Sequence, residues 1–397
     1  MNRKIVISVN TAWNIYNFRS GLVKALVGQG YEVMVMARDD EYSPRLTDLG
    51  CRFIGIHMDN NGTSLGRDLA LLIKYWRVLR AVQPLVYLGY TIKPNVYGSM
   101  AANRLGIPVI NNIAGLGTTF INSTILTCLV KQLYRISLRR SSRIFFQNSD
   151  DRNLFIHAGI IHPEIADILP GSGIDLLHFR PMPMPMPMSM PLLPMQKRCF
   201  RFLLISRMLR DKGVEEFAEA AEIVRRNIPT VQFQLLGSID VKNSNSISRD
   251  RILNWEKSGL IQYMNNTDDV RPYLENADCI VLPSYREGVP HSLLEAAAMA
   301  RPIIASNVVG CKDIVDDNIN GFLCKVKSGP DLAEKMMKMI RLTPEQRLEM
   351  GAKGRKKVVF QFDEKLVIAK YLNAIEQIKN SGSGHALRPL KPNVETF

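Results

Sequence analysis

Residues 181–191 read Pro-Met-Pro-Met-Pro-Met-Pro-Met-Ser-Met-Pro, and neither a helix nor a central strand can pass through them. Alternate prolines remove backbone donors and fix φ, so the stretch is extended and covers roughly 30 Å at about 3.1 Å per residue. It reads as a repeat-expanded linker or as a methionine-rich contact surface. It also divides the chain into two parts that repeat one pattern. Before it, strand signals at residues 5–9, 32–37, 85–88, 108–113 and 143–147 alternate with helical spacing at 18–28, 69–80 and 96–105. After it, strand signals at 200–205, 231–236, 278–282 and 302–305 alternate with helical signals at 214–225, 271–276, 291–300 and 330–340. Strands that alternate with helices specify βαβ units and parallel sheets. The expected organisation is an α/β domain over 1–180, a linker over 181–194, a second α/β domain over 195–360, a helix over 361–380 and a tail over 381–397.

Composition removes several classes. Of 397 residues, 46% are hydrophobic and 22% charged, so a disordered, collagen-like or coiled-coil chain is excluded. The six cysteines form no Cys-x-x-Cys pair, which argues against a disulfide framework or a zinc ribbon and for a reducing compartment. The first residues run straight into a strand signal without a leader-like apolar region, and no apolar run is long enough to span a bilayer. The net charge is +14, of which +8 falls in residues 1–180. A basic surface attracts nucleic acid, anionic lipid or phosphorylated substrates. Residues 125–143 place Leu126, Leu129, Val130, Leu133 and Ile136 at helical spacing among Lys131, Arg135, Arg139, Arg140 and Arg143. That pattern suits an interfacial membrane helix and equally a core helix with a basic outer face.

The informative stretch is Ser284-Tyr285-Arg286-Glu287-Gly288-Val289-Pro290-His291, which leads into a helical segment that contains Glu295. A helix start there offers amides and a dipole to an anion. Glu287 and Glu295 bracket that anion site and could accept hydrogen bonds from hydroxyls on both sides of a diphosphate. Earlier, a strand at 202–206 leads into Arg207, with Lys212 five residues on.

These residues resemble the E-x7-E signature and the R-x4-K pair of the family-4 retaining glycosyltransferases. The resemblance runs through residues 301–311 and the Asn318-Ile319-Asn320-Gly321 turn. It implies a GT-B fold: two Rossmann-like doubly wound domains facing across a cleft, with the last helix returning to the first domain. The first domain would then take the acceptor and the second the nucleotide sugar. By the same resemblance Glu287 contacts the donor sugar, Glu295 the ribose, and Arg207 and Lys212 the diphosphate. Gly288, Val289 and Pro290 approach the sugar and phosphates, although Pro290 has no N–H to give. Gly237 and residues 265–270 would meet the base, uracil by the family's habit, with Asn266 where a glycine is commoner.

In the first half, the loop expected over residues 10–19 carries Asn14, Phe18 and Arg19; Lys93 lies in a second loop and Gly115 and Gly117 in a third. These three loops resemble a subgroup of bacterial surface-polysaccharide enzymes and would rim the acceptor. Lys93 would bind an acceptor phosphate or the donor diphosphate, or simply be solvated. Ala114 stands about where the family often has a histidine. The implied reaction is retaining transfer of a hexose or N-acetylhexosamine from a UDP-sugar to a lipid-diphosphate-linked saccharide by front-face displacement. No Asp-x-Asp occurs, so no metal and no other cofactor are expected. The expected location is the cytoplasmic face of an anionic membrane. A GT-B sugar-nucleotide epimerase is the alternative enzyme, although its histidine and carboxylate pattern is not found. A nucleic-acid-binding role has only the charge in its favour.

Overall fold

Five consecutive residues of β1 (Lys4–Thr11), from Ile5 to Val9, are buried, as in a strand covered on both faces. Ile5, Ile7 and Val9 face one core, whereas Val6 joins another with Leu71, Tyr75 and Leu79. This period-two split seats helices on either side of a sheet. The computed structural model describes residues 2–58, 65–115, 125–181, 199–240 and 243–381. The linker over 181–194 (apart from residue 181), Gly117 and most of the tail lie outside them.

The chain divides into two units, Met1–Ser172 with Lys365–Phe397, and Gly173–Glu364. In the first, β2 (Glu32–Arg38), β3 (Arg52–Gly55), β4 (Val86–Tyr90), β5 (Val109–Ile113), β6 (Arg143–Phe146) and β7 (Ala166–Ile168) join β1 in the order β3-β2-β1-β4-β5-β6-β7. The pairings are parallel. In the second, β8 (Arg201–Ile205), β9 (Gln232–Leu236), β10 (Gln262–Tyr263), β11 (Cys279–Leu282), β12 (Ile303–Ser306) and β13 (Gly321–Cys324) run β10-β9-β8-β11-β12-β13, again parallel. Strand order reverses between β1 and β4 and between β8 and β11, and doubly wound sheets hold ligands at the carboxyl ends beside such reversals. Each unit is thus a Rossmann-like sheet flanked by helices.

Three expectations change. The helix α1 begins at Ala12 and runs to Gly28, so Asn14, Phe18 and Arg19 lie on its first turns and not in a loop. The Thr11 hydroxyl accepts from the Asn14 amide at 3.3 Å, and this cap starts the helix directly after β1. Residues 173–180 cluster with the second unit: Ile174 bridges Asp363, and a Cβ on Gly173 (φ +75°) would stand 2.4 Å from the Glu364 Cα. The last helix, α14 (Glu364–Ser381), begins three residues later than the expected start at 361, because α13 (Pro344–Gln361) occupies that position and ends before Phe362. Val367, Tyr371, Ala374, Ile375 and Ile378 of α14 join the first unit's core.

Candidate active site

The second unit brings the expected donor-side residues to the carboxyl edge of its sheet. Arg207 follows β8 by two residues and is exposed. Lys212 ends a 3-10 turn, Arg210–Lys212, that leads into α7 (Val214–Asn227). Gly237 follows β9, and residues 287–290 end the loop from β11 to α10 (His291–Ala298), on which Glu295 sits.

Lys212 and Glu287 meet directly. Lys212 Nζ lies 2.5 Å from Glu287 Oε1, and the two side chains are 17% and 12% exposed. A desolvated, charge-assisted contact of this kind fixes both groups. Glu295 Oε1 lies 2.8 Å from His291 Nδ1, one helical turn earlier. Each carboxylate therefore has a nitrogen partner, while the exposed Arg207 stands above its strand end.

Three glycines allow the backbone to close around these groups. A Cβ on Gly237 (φ +141°) would stand 1.9 Å from the Ser206 carbonyl oxygen. One on Gly213 (φ +73°) would meet the Pro283 carbonyl oxygen at 2.1 Å, and one on Gly310 (φ +84°) that of Gly288 at 2.1 Å. Left-handed φ and these close approaches both demand glycine. The Lys212 turn is further tied to the Glu287 loop, since the Tyr285 amide donates to the Asp211 carbonyl at 2.9 Å. The Tyr285 hydroxyl donates to Glu216 Oε1 at 2.6 Å, and burial together with that carboxylate holds its pKa above the ordinary phenol range. Asn245 Nδ2 donates to Asp211 Oδ1 at 2.6 Å. Sequence reasoning missed these latches. His291 was legible, standing four residues before Glu295, whereas Tyr285 with Glu216 and Asn245 with Asp211 are separated by 69 and 34 residues and left no local signal.

At α10 the chain turns at Pro290 (φ −70°, ψ 118°), and the helix starts at His291. The amides of a first turn have no carbonyl four residues before them, so they and the dipole can face an anion. Asn265 adopts φ +57° in the loop after β10 and accepts from the Gly237 amide at 2.8 Å. Gly237 and the expected base loop are thus joined. Amides of a helix start, one exposed cation and one paired cation thus stand in the loops of this unit, together with two carboxylates.

In the first unit, Lys93 is not a solvated lysine. Its Nζ lies 2.8 Å from Asp68 Oδ1, and the two side chains are 18% and 8% exposed. Phe18 packs edge-on to Trp13 with centroids 5.1 Å apart. Arg19 is buried on α1 and stacks on Tyr90, 4.2 Å from the ring centroid. Gly115, at φ +132°, follows β5 and Ala114. The basic helix is observed as α5 (Ile125–Leu138): Tyr134 and Leu138 enter the core, while Leu129 and Ile136 are 51% and 61% exposed. Arg135 caps the Ala158 and Gly159 carbonyls, and Arg143 donates to the Glu164 carbonyl and to Gln377. Arg139 and Arg140 are exposed. Among the described residues no group of three His, Cys, Asp or Glu could hold a metal ion, and no helix is long and apolar enough to cross a membrane.

Two family models match the chain: "Glycosyl transferase 4-like" over residues 4–148 and "Glycosyl transferases group 1" over residues 194–357. One similar protein is the N,N'-diacetylbacillosaminyl-diphospho-undecaprenol alpha-1,3-N-acetylgalactosaminyltransferase of Campylobacter jejuni, 28% identical over 374 residues, or 92% of this chain and 96% of the relative. Another is the UDP-Gal:alpha-D-GlcNAc-diphosphoundecaprenol alpha-1,3-galactosyltransferase of Escherichia coli, 25% identical over 76% of this chain and 77% of the relative. Among solved structures, sucrose-phosphate synthase from Thermosynechococcus elongatus superposes with a TM-score of 0.77 at 18% identity, over 96% of this chain and 100% of that one, a likeness of fold.

Proposed function

The chain is a glycosyltransferase of the GT-B fold, related to the family-4 enzymes, and we propose that it moves a hexose or N-acetylhexosamine from a UDP-sugar to a lipid-diphosphate-linked saccharide, with retention, in bacterial surface-glycan synthesis. The observation that carries the donor half is the Lys212–Glu287 pair at 2.5 Å, set at the carboxyl edge of a parallel sheet and walled by Gly213, Gly237 and Gly310. The acceptor half is supported by the two relatives named above, each named for a diphospho-undecaprenol sugar. Both are named for alpha transfer, and alpha transfer from an alpha-linked nucleotide sugar is retention.

In this reading Lys212 and Arg207 hold the diphosphate. Their charges are fixed before reaction, so they stabilise the leaving group without reorganisation. Glu287, held by Lys212, accepts hydrogen bonds from sugar hydroxyls and orients the anomeric carbon. Glu295, held by His291, grips the ribose. The α10 amides and those of Gly288 and Val289 receive phosphate oxygens, and Gly237 with the 265–270 loop meets the uracil. An acceptor hydroxyl oxygen bonds to the anomeric carbon on the face that the diphosphate leaves. The bond from that carbon to the phosphate oxygen breaks, its electron pair stays with the diphosphate, and a phosphate oxygen takes the hydroxyl proton. No enzyme nucleophile and no metal enter the step. Asn14, Phe18, Arg19, Lys93, Gly115 and Gly117 belong to the acceptor side, with Lys93 acting through its ion pair to Asp68.

The exposed Leu129 and Ile136 of α5, with Arg139 and Arg140 in the turn after it, would rest on an anionic membrane from the cytoplasmic side, where a lipid-anchored acceptor must be met. The test is a panel of nucleotide sugars incubated with prenyl-diphosphate-linked acceptors and scored by mass spectrometry. Growth of the acceptor by one sugar, with release of UDP, supports the reading. UDP release that ignores the acceptor, or formation of an epimer, opposes it.

A further inference from the structure

Arg19 is 8% exposed, and no carboxylate among the described residues pairs with it. A guanidinium carries five N–H donors. Nη1 donates to the Asn14 carbonyl at 3.3 Å and to the Asn14 side-chain oxygen, and the Tyr90 hydroxyl lies beside the group. The Tyr90 ring covers one face of the group at 4.2 Å. Burial lowers the Arg19 pKa from its ordinary value, and Tyr90 and Tyr371 oppose that only in part. A buried charge without a counter-ion is strongly destabilising, and such charges are ordinarily paired.

The position of the charge points to its partner. Side chains on a helix lean towards its N-terminus, and the bond to Asn14 brings this guanidinium back to the first turn of α1. That turn follows β1 directly, and Tyr90 ends β4, so the group lies where the strand order reverses. Other polar atoms on these strand ends lack partners. Asn10 Oδ1, Thr91 Oγ1 and Asn112 Oδ1 are buried with no hydrogen bond. Asn112 is 2% exposed and stands in register with Tyr90 across β4 and β5. Thr91 holds φ +60°, a conformation that costs a non-glycine residue energy and gathers at functional sites.

We infer that this edge of the first unit binds an anionic group with adjoining hydroxyls: a phosphate of the acceptor's diphosphate at Arg19, and sugar hydroxyls at Asn10, Thr91 and Asn112. The inference rests on the lipid-diphosphate acceptor proposed above and gives that acceptor its counter-charge. Arg19 would recognise two phosphate oxygens with its remaining donors, a geometry that a lysine cannot reproduce.

The test uses the full chain with two acceptors that carry the same sugar, one on a short prenyl diphosphate and one on a neutral alkyl chain. Arg19→Met keeps the stem against Tyr90 and removes the charge; Arg19→Lys keeps the charge and removes the fork. Both variants should raise KM for the diphosphate acceptor about ten- to a hundredfold, as for a lost charge-assisted contact. UDP binding, which the second unit carries, should stay within about twofold, and the loss on the neutral acceptor should be several-fold smaller than on the diphosphate acceptor, the thermal midpoint being checked alongside. Inorganic pyrophosphate at saturating donor should inhibit wild type competitively against the diphosphate acceptor, a readout that needs no variant. Equal losses on both acceptors, or inhibition that is not competitive, would overturn the anion site. A wild-type chain that binds no UDP and elongates neither acceptor would instead overturn the parent reading.

Discussion

Lys212 Nζ and Glu287 Oε1 stand 2.5 Å apart, so the cation expected to meet a diphosphate is held by the carboxylate expected to meet the sugar. The two halves of the proposed donor site are thus a single electrostatic unit. Donor binding would give Lys212 a second anion and leave Glu287 an oxygen for hydroxyls.

Lys212→Ala should lower turnover by about two orders of magnitude, as for loss of one transition-state charge partner. It should also destabilise the fold by about 1–3 kcal/mol, because Glu287 is left desolvated and unpaired. Arg207→Ala should cost as much turnover and leave the thermal midpoint unchanged, since Arg207 is exposed. Steady-state kinetics with calorimetry on both variants checks the contrast, and a wild-type rate in either removes that residue from the mechanism.

Glu287→Gln should damage transfer itself, and Glu295→Ala should mainly weaken UDP binding. The first carboxylate faces the reacting sugar in this account and the second the ribose. Isothermal titration with UDP, run beside single-turnover rates, separates the two effects. The assignment fails if Glu295→Ala binds UDP normally while Glu287→Gln turns over normally.

Gly237→Ala should destabilise the second unit by about 1–3 kcal/mol, because the residue sits at φ +141° and its Cβ would fall 1.9 Å from the Ser206 carbonyl oxygen. UDP affinity should fall with it, as the Asn265 carbonyl that accepts from the Gly237 amide would shift. Chemical denaturation with a UDP titration checks both.

Activity should survive excess EDTA, since the account gives the diphosphate two side-chain cations and a helix start. Complete loss, restored by magnesium or manganese, would require a metal in the step.

Leu129→Ser with Ile136→Ser should weaken sedimentation with anionic vesicles, and Arg139→Gln with Arg140→Gln should weaken it further at low salt, each charge contributing about 1 kcal/mol. Arg135 and Arg143 are left out because they hold carbonyls of their own unit. Equal sedimentation of the fourfold variant and wild type would remove α5 as the docking face.

Much of this was readable from residues alone. The buried strands wrote themselves as short β-branched runs, and Arg207 and Glu287 stand in the loops after β8 and β11, with Lys212 in the turn before α7 and Glu295 on α10. What failed to read was long-range or masked by composition. The start of α1 was hidden because Trp13, Asn14, Tyr16 and Asn17 interrupt the apolar period, and the Thr11 cap outweighed them. The ion pair of Lys93 with Asp68, 25 residues apart, has no local signature. The burial of Arg19 depends on Tyr90 and Tyr371, brought together by β4 and by α14 from the far end of the chain.

The central claim is transfer from a nucleotide sugar to a diphosphate-linked acceptor with the anomeric configuration kept. The most direct measurement is the one-bond carbon–proton coupling at the new anomeric centre, on product made from a 13C-labelled UDP-sugar and a prenyl-diphosphate-linked acceptor. The account predicts an alpha linkage, one UDP released per sugar transferred, and no UDP release without acceptor. A beta linkage, or UDP formed at the same rate without acceptor, would contradict it.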